Sequence, residues 1–233
     1  MMLMLPSAAM AAKTTPRIVK AGTTTAYSGN FQAINLGDVY FAGNAPFIGV
    51  VDTLCQYTQL RGTVASGGSG TVNYVQIDDD GAGAACPNNQ GGTTTITAIS
   101  TNGNGQVYYD NDPNPGRDGV LEIAGNQPGV HLQAEIEMPL VTPDLQTCHY
   151  GLTSTTPTLE LDLFNGTNPD RPDSGSSEAQ GSAAGQEFHL MTSQTNSFYC
   201  PEAVAAYATV TVKGEQTANS GVFNQSLAVI QGP

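Results

Sequence analysis

Apolar and polar residues alternate along most of this chain. Val130, Leu132, Ala134, Ile136 and Met138 take turns with His131, Gln133, Glu135 and Glu137, and Leu159, Leu161 and Leu163 with Glu160 and Asp162. A period of two sends successive side chains to opposite faces, so each run predicts a strand with one dry and one wet face. Less regular runs of the same kind cover 33–41, 47–51, 71–77, 93–99, 120–123, 188–191, 208–212 and 226–230. Gly, Pro and Asn clusters separate them at the spacing of an antiparallel sandwich or barrel. Only Pro201 to Tyr207 is a candidate for a helical turn. The predicted class is all-β, an antiparallel β-sandwich or barrel, and helix-based or doubly wound architectures are disfavoured.

A repeat is laid over the strands. Cys55-Gln56-Tyr57 leads to Cys86-Pro87 and then Thr95-Ile96-Thr97, while Cys148-His149-Tyr150 leads to Cys200-Pro201 and then Thr209-Val210-Thr211. The cysteine intervals are 31 and 52 residues. They become equal when 165–185, a stretch of loop composition, is taken out. The repeat favours pairing Cys55 with Cys86 and Cys148 with Cys200, and each loop would then contribute roughly 3.5 to 4 kcal/mol in the chain-entropy model. The expected organisation is an N-terminal extension over 12–29, a first β unit over 30–117, and a second over 118–233 that carries a 165–185 loop insertion. A single sandwich whose strands share a turn chemistry is the alternative.

Four cysteines, an even number, suit an oxidising compartment. Their spacing lacks the close Cys-x-x-Cys pairs of structural zinc sites. The opening residues end in Ala9-Met10-Ala11, a small-x-small pattern suited to signal peptidase. The expectation is a signal-peptide remnant over 1–11, since the apolar run is shorter than a full h-region and no basic residues precede it. No later apolar run is long enough to span a bilayer. The expected location is therefore secreted or at the cell surface. Net charge is −13 with only 12% charged residues, so Thr, Ser, Asn and Gln solvate the surface. Seven scattered basic residues cannot neutralise a run of phosphates, which argues against nucleic acid.

Candidate chemistry is sparse. Asp110, Asp112, Asn114, Asp118 and Glu122 surround Gly116 in the way a short loop encloses a hard cation, which makes Ca²⁺ the candidate cofactor. Two prolines and a glycine one place late depart from an EF-hand loop, and an Asx-rich turn needs no metal. Asp78-Asp79-Asp80-Gly81 reads as a charged hairpin turn. Asn165-Gly166-Thr167 and Asn224-Gln225-Ser226 are glycosylation sequons. His131, His149 and His189 are the only histidines, and no nucleophile elbow, His-Glu-x-x-His or phosphate loop accompanies them. With no Trp, a sugar platform would rest on Tyr.

The stretch Cys148 to Val212, with Cys200-Pro201 followed by Tyr207, Val210 and Val212, resembles secreted Thr/Gly-rich β proteins of high-GC, actinobacteria-like bacteria. That resemblance implies location and fold. The expected function is an exported, disulfide-bonded β protein acting by binding or as a structural surface component, its partner an extracellular protein, a glycan or another copy of itself. A secreted hydrolase with a loop-built site and a virion or filament subunit are the rival readings.

Overall fold

The computed structural model describes residues 13–100, 103–111, 116–124, 130–153 and 157–233. Their strands run β1 (Pro16–Lys20), β2 (Gly29–Asn35), β3 (Val39–Ala45), β4 (Gly49–Cys55), β5 (Tyr57–Val64), β6 (Ser69–Asp78), β7 (Cys86–Pro87), β8 (Thr93–Ser100), β9 (Gly103–Tyr109), β10 (Gly119–Ala124), β11 (His131–Ile136), β12 (Gln146–Gly151), β13 (Thr158–Phe164), β14 (Ala179–Leu190), β15 (Ala203–Glu215) and β16 (Phe223–Gln231). No helix occurs among the described residues, and strands make up 59% of them, so the all-β class is the observed one. The expected leader over 1–11 lies outside the described residues.

Eight antiparallel strands close on themselves in the order β15, β2, β5, β6, β9, β10, β13, β14 and back to β15. Closure removes the free edges that an open sheet would expose. The alternation read from the sequence decides which residues turn inward: Leu161 and Leu163 of β13 and Val210 and Val212 of β15 line the interior. One end is covered. β16 pairs with the last residues of β15 and then with β1. The Asn165 amide holds the cover in place, donating to Val229 O at 2.9 Å and accepting from Val229 N at 2.8 Å. Ile18, Leu227 and Val229 of the cover bury themselves against Val107 and Tyr27.

β14 and β15 run on past the barrel and found a second ring. Their far halves pair with β12 and β3, and β3–β4, β7–β8, β8–β11 and β11–β12 continue it. A single bridge, Thr53 to Asn88, joins β4 to the residue after β7. The two rings meet at a bulge in β14 between Ala184 and Gln186, where Gly185 sits at φ 82°. A left-handed residue there bends the strand out of one ring and into the next, and glycine takes that conformation without strain. The second core gathers Ile136, Met138, Tyr150, Leu152 and Phe188 around one disulfide.

Three expectations change. Residues 179–185, expected in the loop insertion, belong to β14, because Gly181 and Ala183 turn inward between β13 and β15 while Gln180 is buried against the preceding turn, bonded to the Asp173 backbone. The preceding turn is held by Arg171, which donates to the carbonyls of Asn168, Ser174 and Ser176. Within Pro201 to Tyr207, the candidate for a helical turn, Ala203 to Tyr207 is strand paired with β3 and β14. Each ring also takes strands from both sides of the 117/118 boundary, which falls in the β9–β10 turn.

Both disulfides serve the second ring. Cys55–Cys86 ties β4 to β7 with a Cα separation of 4.9 Å, and Cys148–Cys200 ties β12 to the approach to β15 at 5.6 Å. These are the pairs the repeat favours, and they lie where backbone pairing is thinnest. Replacing Cys55 and Cys86 by Ala is expected to lower stability by about 2–5 kcal/mol in urea titration. Hydrogen exchange should then rise first around Thr53 and Asn88, while the β14–β15 ladder stays protected.

Candidate functional site

Part of the acidic loop falls within the described residues. Asp110 lies at the end of β9, almost fully buried, and its backbone N–H donates to Asp118 O at 3.1 Å. Arg117 bridges two carboxylates, with Nη2 2.5 Å from Asp110 Oδ2 and Nη1 2.5 Å from Asp162 Oδ1. Burial works against its charge, but the bonds to Asp162 and Asp110 outweigh it and raise its pKa. Asp118 Oδ2 accepts from Asn165 N and Asn168 Nδ2, both at 2.7 Å. Glu122 pairs with Lys13. Asp112 and Asn114 lie outside the described residues. Positive charge near Asp110 and Glu122 is thus supplied by Arg117 and Lys13. Arg117→Met should cost about 3–5 kcal/mol, because it strands a buried carboxylate. Melting of the unmodified protein is expected to be the same in Ca²⁺ and in chelator.

The three histidines, far apart in sequence, gather on the outer face of the second ring. Cys148 and Tyr150 point inward from β12, so His149 and Gly151 point out. His131 of β11 and His189 of β14 both oppose Gly151 across their ladders. His131 Nε2 lies 3.0 Å from His149 Nδ1, and His189 Nε2 lies 3.6 Å from Glu187 Oε2. None of the three lines either interior cavity. Partial burial, then the neighbouring His149, pushes the His131 pKa below its ordinary 6.5. The unfolded chain then binds more protons than the folded one just below pH 6.5. Stability from this residue is full above that pH and is lost as pH falls through the folded pKa. His131→Asn should flatten the fall in urea midpoint over that window.

Each ring encloses a cavity. In the second ring it is about 50 Å³, lined by Thr53, Thr94 and Tyr150 among apolar neighbours. The two threonine hydroxyls bond each other at 2.9 Å, and burial pushes the Tyr150 phenol well up. In the main barrel it is about 110 Å³ and almost wholly apolar, bounded by Ile18, Phe31, Val107, Leu121, Leu163 and Val210.

The far end of the second ring carries an apolar rim. Phe47, at the tip of the β3–β4 hairpin, is 90% exposed and stacks on Phe198, itself 66% exposed, with ring centroids 5.7 Å apart and planes 9° off parallel. Val50 and Leu140 are exposed beside them, linked through Gln90, which donates to Val50 O and accepts from Leu140 N. Phe47 has φ 67°, a left-handed conformation that a bulky side chain adopts only under strain. The alternation puts Phe47 at the start of a strand over 47–51, whereas it lies in the turn and β4 begins at Gly49. The signal was present: Pro46 and Gly49 bracket a turn, which sets Phe47 at its tip.

No family model, curated protein or solved structure matches the chain.

Proposed function

We propose that this is an exported, disulfide-bonded β protein that works by binding, and that the rim around Phe47 and Phe198 is its working surface. The observation that carries the reading is Phe47 itself: an aromatic ring held almost fully in water, in a strained backbone conformation, against a second exposed ring. Strain of this kind gathers at ligand clamps, and exposed apolar patches on otherwise polar proteins mark interaction sites. The buried disulfides and the absence of free cysteines among the described residues support an oxidising location. The partner is a protein whose apolar face is bordered by basic residues, since the chain carries a net charge of −13. Closed rings leave few free strand edges, which makes side-chain docking a better fit than edge-to-edge filament growth.

The combined variant Phe47→Asn, Phe198→Ser separates surface from scaffold. Asn accepts the left-handed conformation, so thermal stability should hold or rise by about 1 kcal/mol. In cells that make the protein, the variant should be exported and oxidised as fully as the parent. Its retention on the cell surface, or on a partner cross-linked through the rim, should fall by roughly tenfold or more. Equal retention overturns the rim, and four free thiols in the native protein overturn export.

A further inference from the structure

We propose that the interior of the eight-stranded barrel is a binding chamber for one small apolar molecule, of the size of benzene or a short hydrocarbon chain. The chamber is distinct from the rim and lies in the other ring. Its volume is about 110 Å³, and none of the residues described around it is charged. An apolar protein cavity of roughly 150 Å³ stays dry and takes up benzene, so this space suits a guest of that order or slightly smaller. Barrels of eight strands are of a width that side chains can fill or that can hold one small ligand.

Four polar residues reach the chamber wall: the hydroxyls of Thr63 and Thr71 bond each other at 3.0 Å on its exposed side, and the other two are amides engaged by backbone. Asn165 spends its amide on the N–H and C=O of Val229. Gln180, fully buried, donates to Asp173 O at 2.6 Å and accepts from Asp173 N at 2.8 Å. Each amide is engaged by backbone through both its N–H and its oxygen, and apart from these and the threonine pair the lining is apolar, so a hydroxyl or carboxylate placed inside would lose its water with little replacement. Selection for apolar ligands follows from that shortage of polar partners.

The glycines point the same way. Gly105 of β9 and Gly181 of β14 sit in strand interiors and line the chamber. A Cβ at Gly181 would come 3.2 Å from Val210 Cγ2 and 3.7 Å from Leu163 Cδ2, and one at Gly105 would come 3.2 Å from Leu121 Cδ1. These contacts are with other lining side chains, so a methyl at either place would take up chamber space. Glycine weakens a strand, and inside one it often marks the close approach of a ligand. A surface groove along β5, β6 and β9 shares Thr63, Gly70, Thr71 and Gly105 with the chamber. The wall there is thinned by glycine, which marks the route of entry.

The test uses the full, oxidised chain titrated with benzene and, separately, with phenol, followed by methyl NMR and thermal melting. Benzene should give saturable shifts at the methyls of Val107, Leu121, Leu163 and Val210, together with a rise in melting temperature. Phenol should bind at least tenfold more weakly. Ala33→Leu, which projects into the chamber, should abolish the benzene response; if it does not fold, Gly181→Ala should weaken binding at least threefold. The variant Phe47→Asn, Phe198→Ser should keep the full response, because the rim is elsewhere. Absence of saturable shifts up to the solubility limit, equal binding of phenol, an unchanged response in the chamber variants, or loss of response in the rim variant would each overturn the proposal.

Discussion

The ladder between β14 and β15 is the constraint on which everything else rests. It runs from Ala179 opposite Val212 to His189 opposite Ala203, and both rings use it as a wall. A shared wall means that the rings cannot fold as unrelated bodies: the near half of the ladder sets the register of the barrel, and the far half that of the second ring. The bulge at Gly185 lets one pair of strands serve two curvatures. A bulge adds twist and bend at the cost of one unpaired residue, and here that residue stands at the junction.

The two rings solve closure differently. The barrel closes by continuous hydrogen-bonded pairing and gains an end cover, β1 and β16, that the Asn165 amide clamps by mimicking a strand neighbour. In the second ring, β12 meets β14 over two residue pairs, and β4 meets the end of β7 through one bridge. Cross-links replace the missing pairing there. Both disulfides are buried beside these weak joints, so they limit the opening that sparse hydrogen bonding would otherwise allow. The division of labour also separates surfaces: the pairing-rich ring encloses the larger chamber, and the stapled ring presents the strained aromatic tip.

Several polar residues with candidate chemistry in the sequence also hold architecture. Asp110 and Asp118, candidates for a cation, receive an arginine and two amide donors. Asp78 and Asp80 cap their own turn, accepting from the backbone N–H groups of Asp80, Gly81, Ala82 and Ala84. Asn165, first in a sequon, is committed to the cover. A carboxylate or amide near a turn satisfies orphan backbone groups, and that use looks the same in sequence as a ligand site.

By itself the sequence determined the local choices. Alternation in 130–138 and 159–163 set strands and their dry faces, since side-chain direction follows from a period of two. The Cys-x-Tyr and Cys-Pro pairs pointed to the two disulfides. Ala179 to Gly185 has the small, polar composition of a loop, yet it packs as strand once β13 and β15 lie on either side. Only the tertiary structure decided which strands are neighbours, that two of them serve both rings, and where the histidines, the rim and the chamber lie. A period of two tells a residue which face it is on but not what stands opposite. Pairings such as β15 with β2, or β1 with β16, join the two ends of the chain and become fixed only when the rings close.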